Sequence, residues 1–158
     1  MPPTTNVEHL SLLWASVETA GELAALHASL FPDPWNADAI GRLLAHPGAT
    51  SLIARTPAPT EIVGFVLAQL AVDEAEILSL GVAKSWQRLG VANRLVEGII
   101  RASRNGGANR LHLEVAADNV PAITLYRAHG FAEVNRRRGY YARPGAAPID
   151  ALMLSRAL

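Results

Sequence analysis

Apolar residues are gathered in short runs along this chain, and such runs bounded by turn residues are typical of strands. The predicted strands cover residues 9–17, 51–55, 62–72, 74–83, 111–116, 131–141 and 149–158. The second, third and fourth follow one another with only short turns between them, which predicts an antiparallel meander. The last two strands are joined by a loop that contains two prolines and a glycine.

Four other stretches have apolar residues at helical spacing. They are residues 20–30, residues 37–45, the stretch from Ala92 to the glycines at 106 and 107, and the stretch from Ala122 to Gly130. Asn36 and Asn119 stand where a helix cap is expected, before the second and fourth of these helices. Strands in series, followed by alternating strands and helices, predict an α/β fold with a mixed, mostly antiparallel sheet and helices on both faces.

Composition narrows the possible functions. The 158 residues carry no formal net charge and half are hydrophobic, which fits one domain over residues 1–158 and argues against nucleic acid or an anionic membrane as partner. No cysteine is present, and none of the five histidines has a spaced partner, so we expect no metal site. The N-terminal MPPTTNVEHL lacks a basic segment, and the apolar run 62–72 is too short to span a bilayer. We therefore expect a cytoplasmic protein.

The loop at residues 87–93 (QRLGVAN) lies between a predicted strand and a predicted helix. Gly90 and the small Ala92 would let a ligand approach the main chain, and the unpaired N–H groups of the first helical turn would face an anion. This arrangement describes a phosphate site. On these residues alone, however, a turn in which Gly90 merely relieves backbone strain is the simpler interpretation.

The pattern Gln-x-x-Gly-x-Ala between a strand and a helix resembles the acyl-CoA pyrophosphate loop of the GCN5-related N-acetyltransferases. The likeness continues through LHLEVAADN (111–119) and AITLYRAHGF (122–131). Within that superfamily the chain is most similar to the bacterial ribosomal-protein-alanine N-acetyltransferases, through this block, FPDPW (31–35), RRRGYY (136–141) and IDALML (149–154). The likeness covers most of the chain.

The resemblance implies acetyl-CoA as co-substrate and a sheet whose two central parallel strands, ending near Val82 and Ala116, splay apart to admit the pantetheine arm. It places the pyrophosphate on the N–H groups of residues 88–93, the oxyanion near residues 80–82, and Asn119 beside the pantetheine as well as at a helix cap. The cofactor-binding residues it implies are Leu80, Gly81, Val82, Gln87, Arg88, Leu89, Gly90, Val91, Ala92, Asn93 and Asn119.

Two carboxylates compete for the role of general base. Glu114 lies in an otherwise apolar strand, on the face opposite Leu113 and Val115. From the residues alone it is a rim position with an arginine partner, whereas the resemblance implies the base that takes a proton from the amine. Glu76, at the start of the strand before the loop, is the alternative base or simply a solvated strand start. Tyr126 has an apolar ring suited to packing, and the resemblance implies that its phenol protonates the departing thiolate.

Four aromatic residues, Phe31, Trp35, Tyr140 and Tyr141, are by resemblance the flanks of a groove for a peptide N-terminus, although each also suits a core or rim position. The arginines at 136–138 are predicted to be a solvated strand end, because three adjacent side chains cannot share one face.

The sequence therefore predicts an acetyl-CoA-dependent N-acetyltransferase that acts on a protein N-terminus, by resemblance an N-terminal alanine of a ribosomal protein. The amine attacks the thioester directly. One alternative is a small-molecule amine acetyltransferase of the same superfamily, with the same cofactor residues and a different groove. The other is a non-catalytic acyl-CoA-binding or partner-docking domain, against which the presence of both Glu114 and Tyr126 counts.

Overall fold

The computed structural model describes residues 6–158. Residues 1–5, part of the N-terminal segment considered for a targeting signal, lie outside the described residues. The strands are β1 (Ser11–Trp14), β2 (Leu52–Arg55), β3 (Ile62–Ala71), β4 (Glu74–Val82), β5 (Arg110–Ala116), β6 (Ala132–Tyr141) and β7 (Ile149–Ala157). The helices are α1 (Ala20–Leu30), α2 (Ala37–Ala45), α3 (Val91–Asn105) and α4 (Val120–Ala128).

Helix ends follow the predicted caps. The side chain of Asn36 accepts a hydrogen bond from the Ala39 N–H at 2.8 Å, and that of Asn119 accepts one from the Ala122 N–H at 3.3 Å. After α3 the chain turns through Gly107 with φ of +95°, a conformation that glycine adopts without strain. None of the helices in residues 6–158 is long and apolar enough to cross a membrane.

The seven strands form one sheet in the order β1-β2-β3-β4-β5-β7-β6. Only β4 and β5 pair in parallel, and the other neighbours are antiparallel. β7, the second strand of the final hairpin, lies between β5 and β6. β6 is therefore the edge strand at this end of the sheet. The predicted mixed, mostly antiparallel sheet is confirmed.

Both faces of the sheet are covered. The larger apolar cluster joins α3 and α4 to one face and includes Leu95, Ile99, Leu113 and Tyr126. The smaller cluster joins α1 and α2 to the other face, where Phe65 is fully buried. The predicted helices on both faces are therefore confirmed.

The parallel pair β4–β5 separates partway along. Its ladder runs only from Glu74 opposite Arg110 to Ile77 opposite Leu113. On the other side of β4, Leu67 of β3 is paired with Ser79 and the next residue with Ile77, which leaves Leu78 as the extra residue of a β-bulge. Because a bulge bends its strand, the end of β4 turns away from β5. We call the space beyond Ile77 and Leu113 the splayed gap, and the predicted splay is confirmed.

The predicted first strand, residues 9–17, is wrong at both ends. Val7–His9 forms a 3-10 turn in which the Asn6 side chain accepts a hydrogen bond from the Glu8 N–H at 2.9 Å. Val17–Thr19 forms another, closed by the Thr19 hydroxyl donating to the Ser16 carbonyl at 2.6 Å. These local side-chain bonds compete with the sheet for the backbone, so β1 keeps only four residues.

Candidate active site

The loop between β4 and α3 has a fixed backbone conformation that would suit an anion. The Gln87 side-chain amide donates to the Val82 carbonyl at 2.9 Å, which ties the loop to the end of β4. Arg88 has φ of +63° and Gly90 has φ of +90°, while Leu89 between them keeps a negative φ. Alternation of this kind turns successive N–H groups toward one concave side, a nest for an anion.

The N–H groups of this loop are available to a ligand. Among residues 6–158, no hydrogen bond of ordinary geometry uses the main-chain N–H of any residue from 88 to 93. The first bond of α3 is donated by the Arg94 N–H to the Gly90 carbonyl at 3.2 Å. A Cβ built on Gly90 would meet no atom within 4 Å, so the space above it is open.

These groups line a shallow cavity of about 140 Å³. Its walls are Val82, Trp86, Gln87, Arg88, Gly90, Val91, Ala92 and Asn93. The cavity thus contains most of the residues predicted for the pyrophosphate, at the N-terminus of a 15-residue helix whose dipole favours negative charge. A larger groove of about 310 Å³ lies between β1 and α3, but neither this loop nor either candidate base lines it.

Glu114 lies on the face of the sheet opposite α3, where its carboxylate contacts Arg137. The Arg137 Nε is 3.2 Å from the Glu114 Oε2, and the guanidinium stacks over the Tyr140 ring at 5.0 Å. Tyr140 and Tyr141 contact edge to face at 5.1 Å. The pKa of Tyr141 is raised, chiefly by burial and to a smaller extent by the Glu114 carboxylate. We call Glu114, Arg137, Tyr140 and Tyr141 the acceptor-face cluster.

The arginine partner predicted for Glu114 is present, but the sequence did not show which arginine it would be. Arg137 was predicted to be part of a solvated strand end. Its side chain is indeed 51% exposed, but it lies within β6 and not at its end, and it reaches Glu114 because β7 inserts between β5 and β6. Met153 of β7 pairs with Glu114, and Ala151 of β7 pairs with Arg137, so the two charged side chains lie on neighbouring strand positions across β7. No local signal in the sequence encodes this strand order.

Glu76, the alternative base, is on the same face but inside the paired part of β4. Its register partner on β5 is His112, two residues before Glu114, which puts the two glutamate Cα atoms about 8 Å apart. Glu114 is the first residue of β5 beyond the ladder. It therefore borders the splayed gap, whereas Glu76 lies within the closed part of the sheet.

Tyr126 lies on the other face from Glu114. Its side chain, 6% exposed, joins the larger apolar cluster and packs edge to face on Phe131 at 5.5 Å. Burial raises the pKa of Tyr126 to about 12, so the phenol is fully protonated at neutral pH. Asn119 begins the same helix. The candidate acid and the candidate base therefore lie on opposite faces of the sheet, Tyr126 on the face covered by α3 and Glu114 on the other.

Phe31 and Trp35 are gathered around a residue that the sequence analysis did not single out. Their rings stack on His27 of α1, with centroid distances of 4.3 and 5.1 Å. No ring contact within residues 6–158 joins them to the two tyrosines of the acceptor-face cluster. A signal for His27 existed, because it shares a helix face with Leu23 and Leu30, where a polar residue is out of place.

No group of three or more histidine, aspartate or glutamate side chains in the described part of the chain could hold a metal ion. A loop with open main-chain N–H groups lies at one side of the splayed parallel pair, and a carboxylate beside aromatic rings lies at the other. This fold and these features are the ones expected of an acyl-CoA-dependent acyltransferase.

The chain belongs to the acetyltransferase (GNAT) family, whose model matches residues 19–131. It is 33% identical over 149 residues to the N-alpha-acetyltransferase RimI of Mycobacterium tuberculosis, covering 90% of this chain and 91% of that protein. It is 30% identical over 122 residues to the ribosomal protein bS18-alanine N-acetyltransferase of Haemophilus ducreyi, covering 77% and 82%. The prediction of an acetyl-CoA-dependent N-acetyltransferase is confirmed.

Solved structures agree on the fold. The ribosomal-protein-S18-alanine N-acetyltransferase from Escherichia coli superposes with a TM-score of 0.85 at 24% identity, covering 94% of this chain and 93% of that one. Arabidopsis thaliana NAA60 in complex with acetyl-CoA superposes with a TM-score of 0.83 at 21% identity, covering 94% and 99%. The non-catalytic alternative is set aside by the family membership.

Proposed function

We propose that this enzyme transfers the acetyl group of acetyl-CoA to the α-amine of a protein N-terminus, with alanine as the first residue. The relatives named above as N-alpha and bS18-alanine acetyltransferases support this acceptor class. A ribosomal protein is the proposed partner, and the cytoplasmic location stays a prediction.

The observation that carries the proposal is the end of the β4–β5 ladder at Ile77 and Leu113. The open loop N–H groups lie at one face of the sheet, and the acceptor-face cluster lies at the other. A thioester that enters from the loop side would reach an amine on the opposite side through the splayed gap. Two substrates approaching from opposite faces can form a ternary complex, which direct transfer without an acyl-enzyme requires.

In this mechanism Glu114 takes a proton from the α-ammonium, whose unperturbed pKa is about 7.7 to 8.0. The neutral amine attacks the thioester carbon, the C–N bond forms and the C–S bond breaks. The main-chain N–H groups of Leu80 and Val82, which point away from β3 beyond the end of the β5 ladder, are proposed to stabilise the oxyanion, whereas that of Gly81 points to β3. The products are the acetylated N-terminus, CoA thiol and one proton.

The ion pair with Arg137 does not block this role. The Arg137 side chain is 51% exposed and that of Glu114 is 21% exposed, so the pair is open to water on the arginine side; ion pairs exposed to water contribute only about 0 to 1 kcal/mol. An incoming ammonium is itself a cation and can replace the guanidinium beside Glu114. Arg137 then remains stacked on Tyr140 through the aromatic face.

Tyr126 is proposed to act on the departing thiolate. A phenol with a pKa of about 12 is a much weaker acid than a thiol, whose ordinary pKa is about 8.5. Full proton transfer to the thiolate is therefore unfavourable, and the phenol stabilises it chiefly by donating a hydrogen bond. Hydrogen bonds to charged groups contribute about 1.5 to 3 kcal/mol, which sets the scale of the expected rate loss on its removal.

The proposal is tested by measuring initial rates of CoA release with a panel of amines. The panel contains peptides beginning with alanine, the same peptides with a blocked N-terminus, a polyamine and an aminoglycoside. We expect turnover of the free alanine peptides alone. Efficient turnover of the polyamine or the aminoglycoside, without turnover of the peptides, would establish the small-molecule alternative.

A further inference from the structure

His27 is a buried polar residue at the centre of an aromatic cluster. It is 3% exposed, and its ring stacks on Phe31, Trp35 and, at 5.7 Å, Phe65. Phe65 belongs to the central strand β3, whereas Phe31 and Trp35 lie in the loop between α1 and α2. An apolar side chain would fill this position at lower desolvation cost, so the imidazole requires another reason.

Both ring nitrogens of His27 are used. The Trp35 main-chain N–H donates to Nδ1 at 3.1 Å, so Nδ1 carries no proton. The proton is then on Nε2, which lies 3.2 Å from the Ser79 hydroxyl oxygen and donates to it. Burial lowers the pKa of His27, in agreement with a neutral ring at pH 7.

The two partners of His27 belong to two different elements, the α1–α2 loop and β4. Pro32 and Pro34 have no N–H, so the α1–α2 loop has few donors with which to fix itself, and the Trp35 N–H is held by the imidazole. Ser79 is the first residue of β4 after the bulge, next to residues 80–82. His27 therefore ties the loop to the strand segment beside the splayed gap.

We propose that His27 is a positioning residue that fixes the α1–α2 loop against the splayed end of β4 and so sets the affinity for the acceptor amine. The inference rests on the proposed function. It gives a further role to Phe31 and Trp35, which pack against the smaller apolar cluster, because the imidazole also fixes the Trp35 main chain by a hydrogen bond. Loss of those bonds would release the loop while leaving the cofactor cavity, on the other face, intact.

The test compares His27→Phe with His27→Asn in steady-state kinetics on a peptide beginning with alanine. Phenylalanine keeps the ring stack and removes both hydrogen bonds, so we expect the KM for the peptide to rise about tenfold. The kcat and the Kd for acetyl-CoA, measured by calorimetry, should stay close to wild type. Asparagine offers an oxygen near the position of Nδ1 for the Trp35 N–H but does not reach Ser79, so it should recover part of the KM, to the level expected for Ser79→Ala.

A purely structural role would lower the melting temperature without this selective change in KM. Three results would each overturn the inference. The His27→Phe enzyme could have a wild-type KM for the peptide, or it could lose acetyl-CoA affinity by the same factor as its KM rises. The His27→Asn enzyme could have a KM no lower than that of His27→Phe. If His27→Phe does not fold, Ser79→Ala is used instead, because it removes only the hydrogen-bond partner on β4. We expect roughly a two- to tenfold rise in the KM for the peptide. An unchanged KM in Ser79→Ala would also overturn the inference. A wild-type enzyme that acetylates no peptide would overturn the proposed function as well.

Discussion

A substitution at Gly90 distinguishes a role of this residue in stability from a role in acetyl-CoA binding. With φ of +90° and no atom within 4 Å of a built Cβ, Gly90→Ala would meet no steric clash, only the cost of a left-handed backbone at a non-glycine residue. That cost is about 1 to 2 kcal/mol, which for a chain of this size lowers the melting temperature by roughly 2 to 8 °C. The variant should therefore fold.

Acetyl-CoA affinity should fall much further than stability. If relaxation of the strained turn removes one N–H bond to the pyrophosphate, the loss is about 1.5 to 3 kcal/mol, or roughly 10- to 150-fold in Kd. Isothermal calorimetry measures this change directly. The magnitude depends on the free N–H groups of residues 88–93, which find no acceptor among residues 6–158.

Gly107 provides a matched control at the other end of α3. It has φ of +95° and the same open space around a built Cβ, and it is separated from Gly90 by α3, whose 15 residues span about 22 Å. Gly107→Ala should lose a similar amount of stability and keep wild-type acetyl-CoA affinity. Equal affinity in both variants would refute the assignment of the loop to the pyrophosphate.

Three further predictions concern the candidate acid and bases. Glu114→Gln should lower kcat about 10² to 10⁴-fold at neutral pH, with partial recovery above pH 8, where the α-amine is already neutral. Glu76→Gln should keep a kcat near that of wild type. If Glu76→Gln shows the loss and Glu114→Gln does not, the general base is Glu76 on β4. Tyr126→Phe should lower kcat roughly 10- to 150-fold without alkaline recovery in the pH–rate profile, and a loss rescued by high pH would contradict the donor role. Burial raises the pKa of Tyr126 from 10.0 to about 12, so the folded state favours the protonated phenol. The resulting stability, roughly 3 kcal/mol, is fully present below pH 10 and lost as the pH rises toward 12; unfolding titrations should show a shallower alkaline loss in Tyr126→Phe, and identical slopes would contradict it.

Much of the fold could be predicted because local chemistry and global structure agree. The predicted second helix begins after Asn36 and ends before Pro47, as observed, since a cap and a proline act on the backbone directly. The first strand was overextended because its apolar alternation hid two 3-10 turns, which depend on hydrogen bonds of the Asn6 and Thr19 side chains.

The candidate site likewise has one part that a short stretch of sequence predicts and another part that depends on the tertiary structure. The loop at residues 87–93 is contiguous, so its composition and its place between strand and helix suggest an anion site, which the resemblance of the surrounding block favours over an ordinary turn. The contact of Arg137 with Glu114 depends on β7 lying between β5 and β6, which no short stretch of sequence specifies. The bulge at Leu78 is likewise a product of pairing between whole strands.

His27 stands between these cases. Its position on the apolar face of α1 could have been read from helical spacing, but its partners could not. Trp35 is eight residues away and Ser79 is 52 residues away, and the imidazole meets both only after α1 packs on the sheet.

The central claim is transfer to an α-amine, and one measurement tests it directly. A peptide that begins with alanine and carries an internal lysine is incubated with the enzyme and acetyl-CoA, and tandem mass spectrometry locates the acetyl group. The account predicts a single acetyl group on the N-terminal nitrogen. Acetyl on the lysine side chain with a free N-terminus would contradict it.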